Sequence, residues 1–366
     1  MRTTSAVLAL LLAVSIVNGQ TTKFVTSGYG TSIQTFSVDF SQGGELTLDN
    51  EQTWDLNLTF LSYDASTGSL YAIHEVDSYD DFENSGAVSR WTLSGSDWIQ
   101  NEVLSVEGKG PCHVLLDKES NLLFVANYLG GSFAVFQIDP TSGAILQNVY
   151  SEQFEYASGV VPDRQADPHA HEAIVQGDNA YVIDLGADRI YQYKIVDGTI
   201  QKNGYADAPP GVGPRHMALP PTGNLAYVMN ELEMSASVYE INEGTLSHLQ
   251  TIPYTVAGAD PAVQTGAEIE VGRNGNFLYL STRGDGALVV FEIKSAQDGY
   301  LQQIQELKTL GDVPRHFALS EDGKNLVCGT QGANLIEVYS IDQTTGMVTF
   351  LTSETTIPDP TIITYL

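Results

Sequence analysis

The feature that most constrains the fold is an internal repeat with a period of roughly 50 residues. Each repeat holds an apolar segment, a short polar turn containing Gly or Asn, and a second segment in which apolar and polar residues alternate. Such alternation, with aromatic and β-branched enrichment, is typical of strands and not of helices. The matching residues of the seven repeats are Phe24, Tyr71, Phe124, Tyr181, Tyr227, Tyr279 and Val327.

The strand pattern of the repeats predicts an all-β fold. Their number predicts a single seven-bladed β-propeller with four antiparallel strands per blade. Radial closure of such units leaves only short sheet edges exposed. The first repeat begins near its second strand, and residues 361–366 resemble a first strand without a unit of its own. We therefore expect the N- and C-terminal strands to pair and close the ring. An open solenoid is the alternative, but it would require polar caps that the chain ends lack.

The first 19 residues are predicted to be a secretory signal peptide, and residues 20–366 the propeller. Arg2 precedes an apolar run over residues 6–17, and small residues follow it at the expected cleavage point. The mature protein is therefore predicted to be secreted and extracellular, with one site for N-glycosylation at Asn57. Secretion permits a disulfide between Cys112 and Cys328, although the repeat puts them in distant blades.

The charge of the chain restricts its partners. Lys and Arg total 16 against 45 Asp and Glu, a formal net charge of −29. Such a surface repels nucleic acid and anionic membranes, so we expect neither as a partner. A small-molecule carboxylate or lactone remains, and an anionic one would need basic residues within its own site. The sequence leaves the oligomeric state undetermined.

Comparison of the repeats identifies polar positions that would meet at one end of the propeller channel. Twelve residues before the matching aromatic, one column reads Cys112, Arg215, Ala267 and Arg315, and the next reads His113, His216, Glu268 and His316. In the fourth repeat strict counting selects His169, whereas the apolar alternation favours His171 in the Arg215 column. A second column, four residues after the aromatic, reads Glu75, Tyr128, Leu185, Glu231, Arg283 and Gln331.

These columns predict a catalytic set of His171, Glu231, Arg215 and Arg283. The substrate-binding residues are predicted to be His169, Arg315, His316 and Glu268. Guanidinium groups hold carboxylates or phosphates in a bidentate manner, and imidazole or carboxylate groups can move a proton. A structural alternative is that Arg215 and Glu231 pair and tie adjacent blades together. No metal is expected, because no third and fourth ligands can be identified for His169 and His171. The absence of a GxSxG elbow disfavours a serine hydrolase.

The motifs PHAH, GPRHMALPPTGNLAYVMNE, EIEVGRNGNFLYLSTRG and VPRHFALSEDGKNL resemble the lactonase-type seven-bladed propeller family. That family includes bacterial 6-phosphogluconolactonases and the fungal 3-carboxy-cis,cis-muconate lactonising enzyme. The resemblance covers nearly the whole mature chain and implies the same set of His171, Arg215, Glu231 and Arg283. It implies a cofactor-independent cycloisomerase that closes an unsaturated dicarboxylic acid to a lactone, with Arg-held carboxylates and proton transfer by His or Glu.

Two alternatives to the cycloisomerase stay open. The same site could hydrolyse a sugar lactone by activating water, as a 6-phosphogluconolactonase does. The muconate and phosphogluconate pathways are intracellular, whereas this chain carries a predicted signal peptide. A non-catalytic secreted binding propeller is therefore the other alternative.

Overall fold

Each repeat forms one four-stranded antiparallel sheet in the computed structural model, which describes residues 21–54, 57–260, 262–295 and 299–366. The seven sheets are the blades of a propeller, which confirms the fold predicted from the repeat. The predicted signal peptide lies outside the described residues. The single α-helix within the described residues is α1 (Pro162–Gln165), and no described helix is long and apolar enough to cross a membrane.

The strands run from the channel to the rim within each blade, and β28 returns to blade 1. They are β1 (Thr22–Gly28), β2 (Ser32–Asp39) and β3 (Glu45–Thr53) in blade 1; β4 (Leu58–Asp64), β5 (Ser69–His74), β6 (Ala87–Ser94) and β7 (Asp97–Ser105) in blade 2; β8 (Pro111–Asp117), β9 (Leu122–Asn127), β10 (Ser132–Ile138) and β11 (Ile145–Gln153) in blade 3; β12 (Ala170–Gln176), β13 (Asn179–Asp184), β14 (Arg189–Val196) and β15 (Thr199–Asp207) in blade 4; β16 (Pro214–Ala218), β17 (Leu225–Asn230), β18 (Ser235–Asn242) and β19 (Thr245–Pro253) in blade 5; β20 (Thr265–Val271), β21 (Phe277–Arg283), β22 (Ala287–Ile293) and β23 (Leu301–Lys308) in blade 6; β24 (Pro314–Leu319), β25 (Asn325–Thr330), β26 (Leu335–Ile341) and β27 (Val348–Thr355) in blade 7; and β28 (Pro360–Tyr365).

The two chain ends close the ring, as expected from the sequence. β28 is the innermost strand of blade 1 and pairs antiparallel with β1, from Phe24 opposite Tyr365 to Gly28 opposite Pro360. The Thr361 hydroxyl donates to the Thr59 carbonyl oxygen at 2.7 Å, so β28 is also joined to blade 2. All seven sheets thus have a protein neighbour on both faces.

The core lies between the blades and is built from the repeated apolar positions. The matching aromatics of the repeats, such as Tyr71, Phe124 and Tyr181, have no accessible surface. Trp91 and Trp98 are buried in the same way between blades 1 and 2. Complete burial of one such side chain contributes roughly 1.5–3 kcal/mol, so the repeat supplies most of the hydrophobic stabilisation.

A bulge at the start of the innermost strands determines which side chains reach the channel end. In blade 5 Pro214 is opposite Asn230 and His216 is opposite Met229, so Arg215 is the extra residue. In blade 4 the bulge falls between Ala170 and Glu172, and His171 is therefore the equivalent of Arg215. This pairing confirms the register that the apolar alternation favoured.

The two cysteines are free thiols. Cys112 occupies the bulge of blade 3 and Cys328 lies in blade 7, and both are buried. The two residues form no disulfide in the structure.

Candidate functional site

The bulge residues and the residues that follow the second strands meet at one end of the channel, which we call the mouth. Neighbouring strands are antiparallel, so each innermost strand begins where its neighbour ends. The bulge positions of the seven blades are Thr361, Thr59, Cys112, His171, Arg215, Ala267 and Arg315. The positions at the end of the second strands or directly after them are Tyr29, Glu75, Tyr128, Leu185, Glu231, Arg283 and Gln331.

Glu231 is the electrostatic centre of the mouth. Its side chain is 2% exposed and lies against three guanidinium groups. Arg283 Nη2 is 2.6 Å from Oε2, and Arg215 Nε is 3.3 Å from the same oxygen. Arg164 Nη2 donates to Oε1 at 2.5 Å. Burial alone would raise the pKa of Glu231, but Arg283, Arg215 and Arg164 lower it to about 2, so the carboxylate stays ionised.

The two predicted arginines of the catalytic set are held by backbone carbonyls and keep spare donors. Arg283 donates to the Gly266 carbonyl oxygen at 2.7 Å, and Arg215 Nη1 donates to that of Ala267 at 2.6 Å. Arg215 is buried, and among the described residues its Nε has no aligned hydrogen-bond acceptor. A guanidinium has five N–H groups, so each arginine can still bind an oxyanion.

His171 lies beside these arginines and is a neutral imidazole. Burial, together with the neighbouring charges of Arg215 and others, lowers its pKa well below the ordinary value. Its Nδ1 is 3.8 Å from the Cys112 thiol, which itself donates to the His171 carbonyl oxygen. Nε2 has no hydrogen-bond partner among the described residues. The ring therefore offers one nitrogen as a proton acceptor.

His169 and Arg164 border the same part of the mouth. His169 Nδ1 is 2.9 Å from the Tyr128 carbonyl oxygen, and its ring stacks on Tyr128 at 4.5 Å between centroids. Arg164, on α1, donates both to the Tyr128 hydroxyl at 3.1 Å and to Glu231. Arg164 is absent from the predicted set, because it lies in an insertion between blades 3 and 4 that has no counterpart in the other repeats.

A second cluster lies on the other side of the mouth, where blades 7, 1 and 2 meet. Arg315 Nη2 donates to the Tyr29 hydroxyl oxygen at 3.2 Å, and the Tyr29 hydroxyl donates to Glu75 Oε1 at 2.8 Å. Burial raises the pKa of Glu75, against the opposing effect of Arg315 and other neighbours. The mouth thus has two carboxyl groups, of which only Glu231 is neutralised by several arginines.

His316 and Glu268, predicted to bind substrate, lie one layer deeper in the channel. Each bulge places its first residue at the mouth and the next residue further along the strand. Glu268 contacts His216 Nδ1 at 3.1 Å and His316 Nε2 at 3.4 Å. With His113 and Glu172 they line a cavity of about 270 Å³ that extends toward the opposite end of the channel. The structure therefore brings together the four predicted catalytic residues, His169 and Arg315, but not these two.

The mouth and the deeper layer offer no metal site. Across the described ranges, no three His, Cys, Asp or Glu side chains are grouped so that they could hold a metal ion. The mouth presents guanidinium, imidazole, carboxyl, phenol, thiol and hydroxyl groups.

Comparison with known proteins identifies the family. The family model described as "Lactonase, 7-bladed beta-propeller" matches residues 16–365. A 6-phosphogluconolactonase of Bacillus subtilis is 30% identical over 317 residues, which cover 85% of this chain and 87% of the relative. A 6-phosphogluconolactonase of Formosa agariphila is 29% identical over 337 residues, which cover 89% of this chain and 92% of that relative.

Solved structures agree with the fold. A protein from Lactobacillus plantarum has a TM-score of 0.85 and 25% identity, covering 95% of this chain and all of the other. The periplasmic gluconolactonase of Pseudomonas aeruginosa has a TM-score of 0.84 at 24% identity, covering 95% of this chain and 99% of its own. The family match, the sequence relatives and the shared architecture lead to one conclusion: this chain belongs to the lactonase family of seven-bladed β-propellers.

Proposed function

We propose that the protein hydrolyses a polar, sugar-type lactone at the mouth of its channel. The observation that carries this proposal is the arrangement of Arg215, Arg283 and the neutral His171 around the ionised Glu231. The family and the names of its relatives support hydrolysis of a lactone. Hydroxyl-rich substrates suit a site that presents arginine, histidine, glutamate and tyrosine side chains.

Lactone hydrolysis requires a base for the attacking water and donors for the oxyanion that develops. Glu231 is a weak base, because its carboxylate has a pKa of about 2. His171 is the better candidate: its pKa is lowered as well, but its Nε2 is unoccupied, whereas both oxygens of Glu231 are held by guanidinium groups. The spare N–H groups of Arg215 and Arg283 would then stabilise the negative charge on the carbonyl oxygen. Glu231 would hold both guanidinium groups in position.

Arg315 and His169 would bind the remainder of the substrate. Arg315 donates only to Tyr29 among the described residues, so most of its N–H groups are available for a hydroxyl or an anionic substituent. His169 forms the wall beside Tyr128. The finer choice between a neutral sugar lactone and an anionic one depends on these two residues.

Two other functions would use the same residues. Lactonisation of an unsaturated diacid, expected from the family resemblance, needs the arginines for carboxylates and a proton donor for carbon. The named relatives favour hydrolysis over this reaction. A secreted propeller that only binds its ligand would leave that ligand chemically unchanged. We also keep the proposal that residues 1–19 direct secretion.

The test is a panel of aldonolactones and muconates, with product formation followed by chromatography. We expect the protein to open at least one aldonolactone, and the Arg215→Lys and Arg283→Lys variants to lose about 100-fold or more in kcat/KM. Arg90→Lys is the matched control, because Arg90 pairs with Glu102 in blade 2, away from the mouth. Turnover of muconates alone, or equal activity in Arg215→Lys and the control, would refute the proposal.

A further inference from the structure

We propose that Glu75 is a second proton-transfer residue, which protonates the leaving oxygen of the opened lactone. This inference rests on the proposed function and adds a residue to it. Glu75 belongs to blade 2, whereas His171 and the arginines around Glu231 belong to blades 4, 5 and 6 and the insertion before them. Glu75 therefore lies on one side of the mouth and His171 with these arginines on the other, and a bound substrate would lie between them.

The contacts of Glu75 place its carboxyl group at the channel and not in the core between blades. The groups that influence its charge are Arg315, Thr59, Tyr29 and Arg215. Each of them is a bulge residue or a residue after a second strand, so all of them line the mouth. The Glu75 backbone is fixed by its N–H, which donates to the Asn57 carbonyl oxygen at 3.1 Å.

The direction of the hydrogen bonds determines which oxygen can carry a proton. A guanidinium only donates, so Arg315 must donate to the Tyr29 oxygen. The single hydrogen of the Tyr29 hydroxyl is then directed to Glu75 Oε1. Burial raises the pKa of Tyr29, so this hydroxyl stays protonated. Oε1 is consequently an acceptor, and a proton on the carboxyl group resides on Oε2.

Oε2 is available for such a role because it is buried and has no hydrogen-bond partner among the described residues. The Thr59 hydroxyl also has no partner within hydrogen-bond distance, but it approaches the Glu75 carboxyl group closely enough to lower its pKa. Buried polar atoms are nearly always paired, so an unpaired carboxyl oxygen at a functional mouth suggests a partner that arrives with the substrate. Burial outweighs the nearby positive charge and raises the pKa of Glu75, which favours the protonated form.

The step balances without any further reactant. Water adds its oxygen to the acyl carbon, and one of its protons passes to His171 Nε2. The bond between the acyl carbon and the ring oxygen breaks, and the proton of Glu75 Oε2 passes to that ring oxygen, which becomes a hydroxyl group. Transfer of the proton from imidazolium to the Glu75 carboxylate, through solvent, restores both groups.

The test compares leaving groups of different basicity. An aldono-1,4-lactone releases an alkoxide, which needs a proton, whereas dihydrocoumarin releases a phenolate with a pKa of about 10, which does not. Glu75→Gln retains the acceptor for Tyr29 but cannot give up a proton. We expect it to lower kcat at least about 100-fold on the aldonolactone and less than about 5-fold on dihydrocoumarin.

The pH profile supplies an independent readout on the aldonolactone alone. An acid must be protonated, so the profile of kcat should fall on its alkaline side, and Glu75→Gln should remove that fall. Tyr29 lowers the pKa of Glu75 through its hydrogen bond, so Tyr29→Phe should move the alkaline fall to higher pH. This second variant keeps the test available if Glu75→Gln does not fold.

Glu152→Gln is the matched control, because Glu152 also accepts hydrogen bonds from tyrosines, Tyr150 and Tyr193, but lies on an outer strand. Equal losses on both lactones, or an alkaline limb that neither variant alters, would overturn the role of Glu75 while leaving the proposed function intact. Failure of the unmodified protein to open either lactone would instead overturn the proposed function.

Discussion

Glu231 shows how a buried carboxylate can organise a site without serving as its base. Three guanidinium groups from different parts of the chain lie within 3.3 Å of its oxygens. A buried ion pair stabilises a fold little more than an apolar pair of the same volume would. Removal of one charged partner is nevertheless costly, because it leaves the other charges buried without compensation. The structural and the catalytic explanations of Arg215 and Glu231 are therefore compatible, since the pairing that joins blades 5 and 6 also orients the arginines.

Glu231→Gln should destabilise the protein by about 3 kcal/mol at neutral pH, because it leaves the arginines at the mouth uncompensated. Urea unfolding is the measurement. The matched control is Glu292→Gln, whose carboxylate pairs with Lys294 at the surface and should contribute less than about 1 kcal/mol. A stability loss in Glu231→Gln no larger than in this control would contradict the argument.

The stability loss in Glu231→Gln should depend on pH. The pKa of Glu231 is about 2 in the folded protein and about 4.5 in the unfolded chain. A carboxyl group with a lowered pKa stabilises the fold above its unfolded value, and this contribution is lost as the pH falls toward the folded value. The difference in unfolding free energy between the protein and Glu231→Gln should be constant above about pH 5 and should narrow below pH 4.5.

At the scale of elements, the insertion at residues 155–168 borders the mouth. Gln165 fastens it by donating to the Leu185 carbonyl oxygen and to Asp188, at 2.9 and 2.8 Å. Arg164 is a further attachment, through Glu231 and Tyr128, and its side chain is 36% exposed. Because Arg164 contacts Glu231 directly, the attachment of this segment is expected to influence the surroundings of that carboxylate.

Arg164→Ala should loosen the insertion without unfolding the propeller. Tyr156 lies in the insertion and is exposed, so cleavage by chymotrypsin after this residue reports the loosening. We expect cleavage several-fold faster than in the unmodified protein, measured by mass spectrometry of the fragments. Lys202→Ala, which removes a surface pair with Glu152, should leave the rate unchanged. Equal rates in the two variants would show that Arg164 does not hold the segment.

The repeat explains how much of this architecture could be predicted. It predicted the blades, the closure by residues 361–366 and the position of His171, because each repeat has the same alternation and the same bulge. Arg164 could not be predicted, because its insertion has no equivalent in other blades. Tyr29 was missed for a different reason: pairing with β28 makes Val25, and not Phe24, the equivalent of the other matching residues. His316 and Glu268 needed coordinates, since only the bulge geometry separates the two layers.

At the scale of the whole molecule, the mouth is a small positive region on a strongly acidic protein. Arg164, Arg215, Arg283 and Arg315 meet there, partly balanced by the ionised Glu231. The formal net charge of the chain is −29, so its field at a distance is negative. Within a few ångströms of the mouth the arginines act on a ligand through weakly screened contacts, but an approaching anion first meets the repulsion of the whole surface.

Ionic strength should therefore separate neutral from anionic substrates. The Debye length falls from about 30 Å at 0.01 M salt to about 8 Å at 0.15 M, which screens the distant repulsion and leaves the contacts at the mouth largely intact. For a lactone that carries a carboxylate or phosphate, kcat/KM should rise several-fold over this range, and for the uncharged aldonolactone it should stay constant. The uncharged substrate controls for effects of salt on the fold. A decrease for the anionic lactone would mean that the arginines of the mouth, and not the acidic surface, govern its approach.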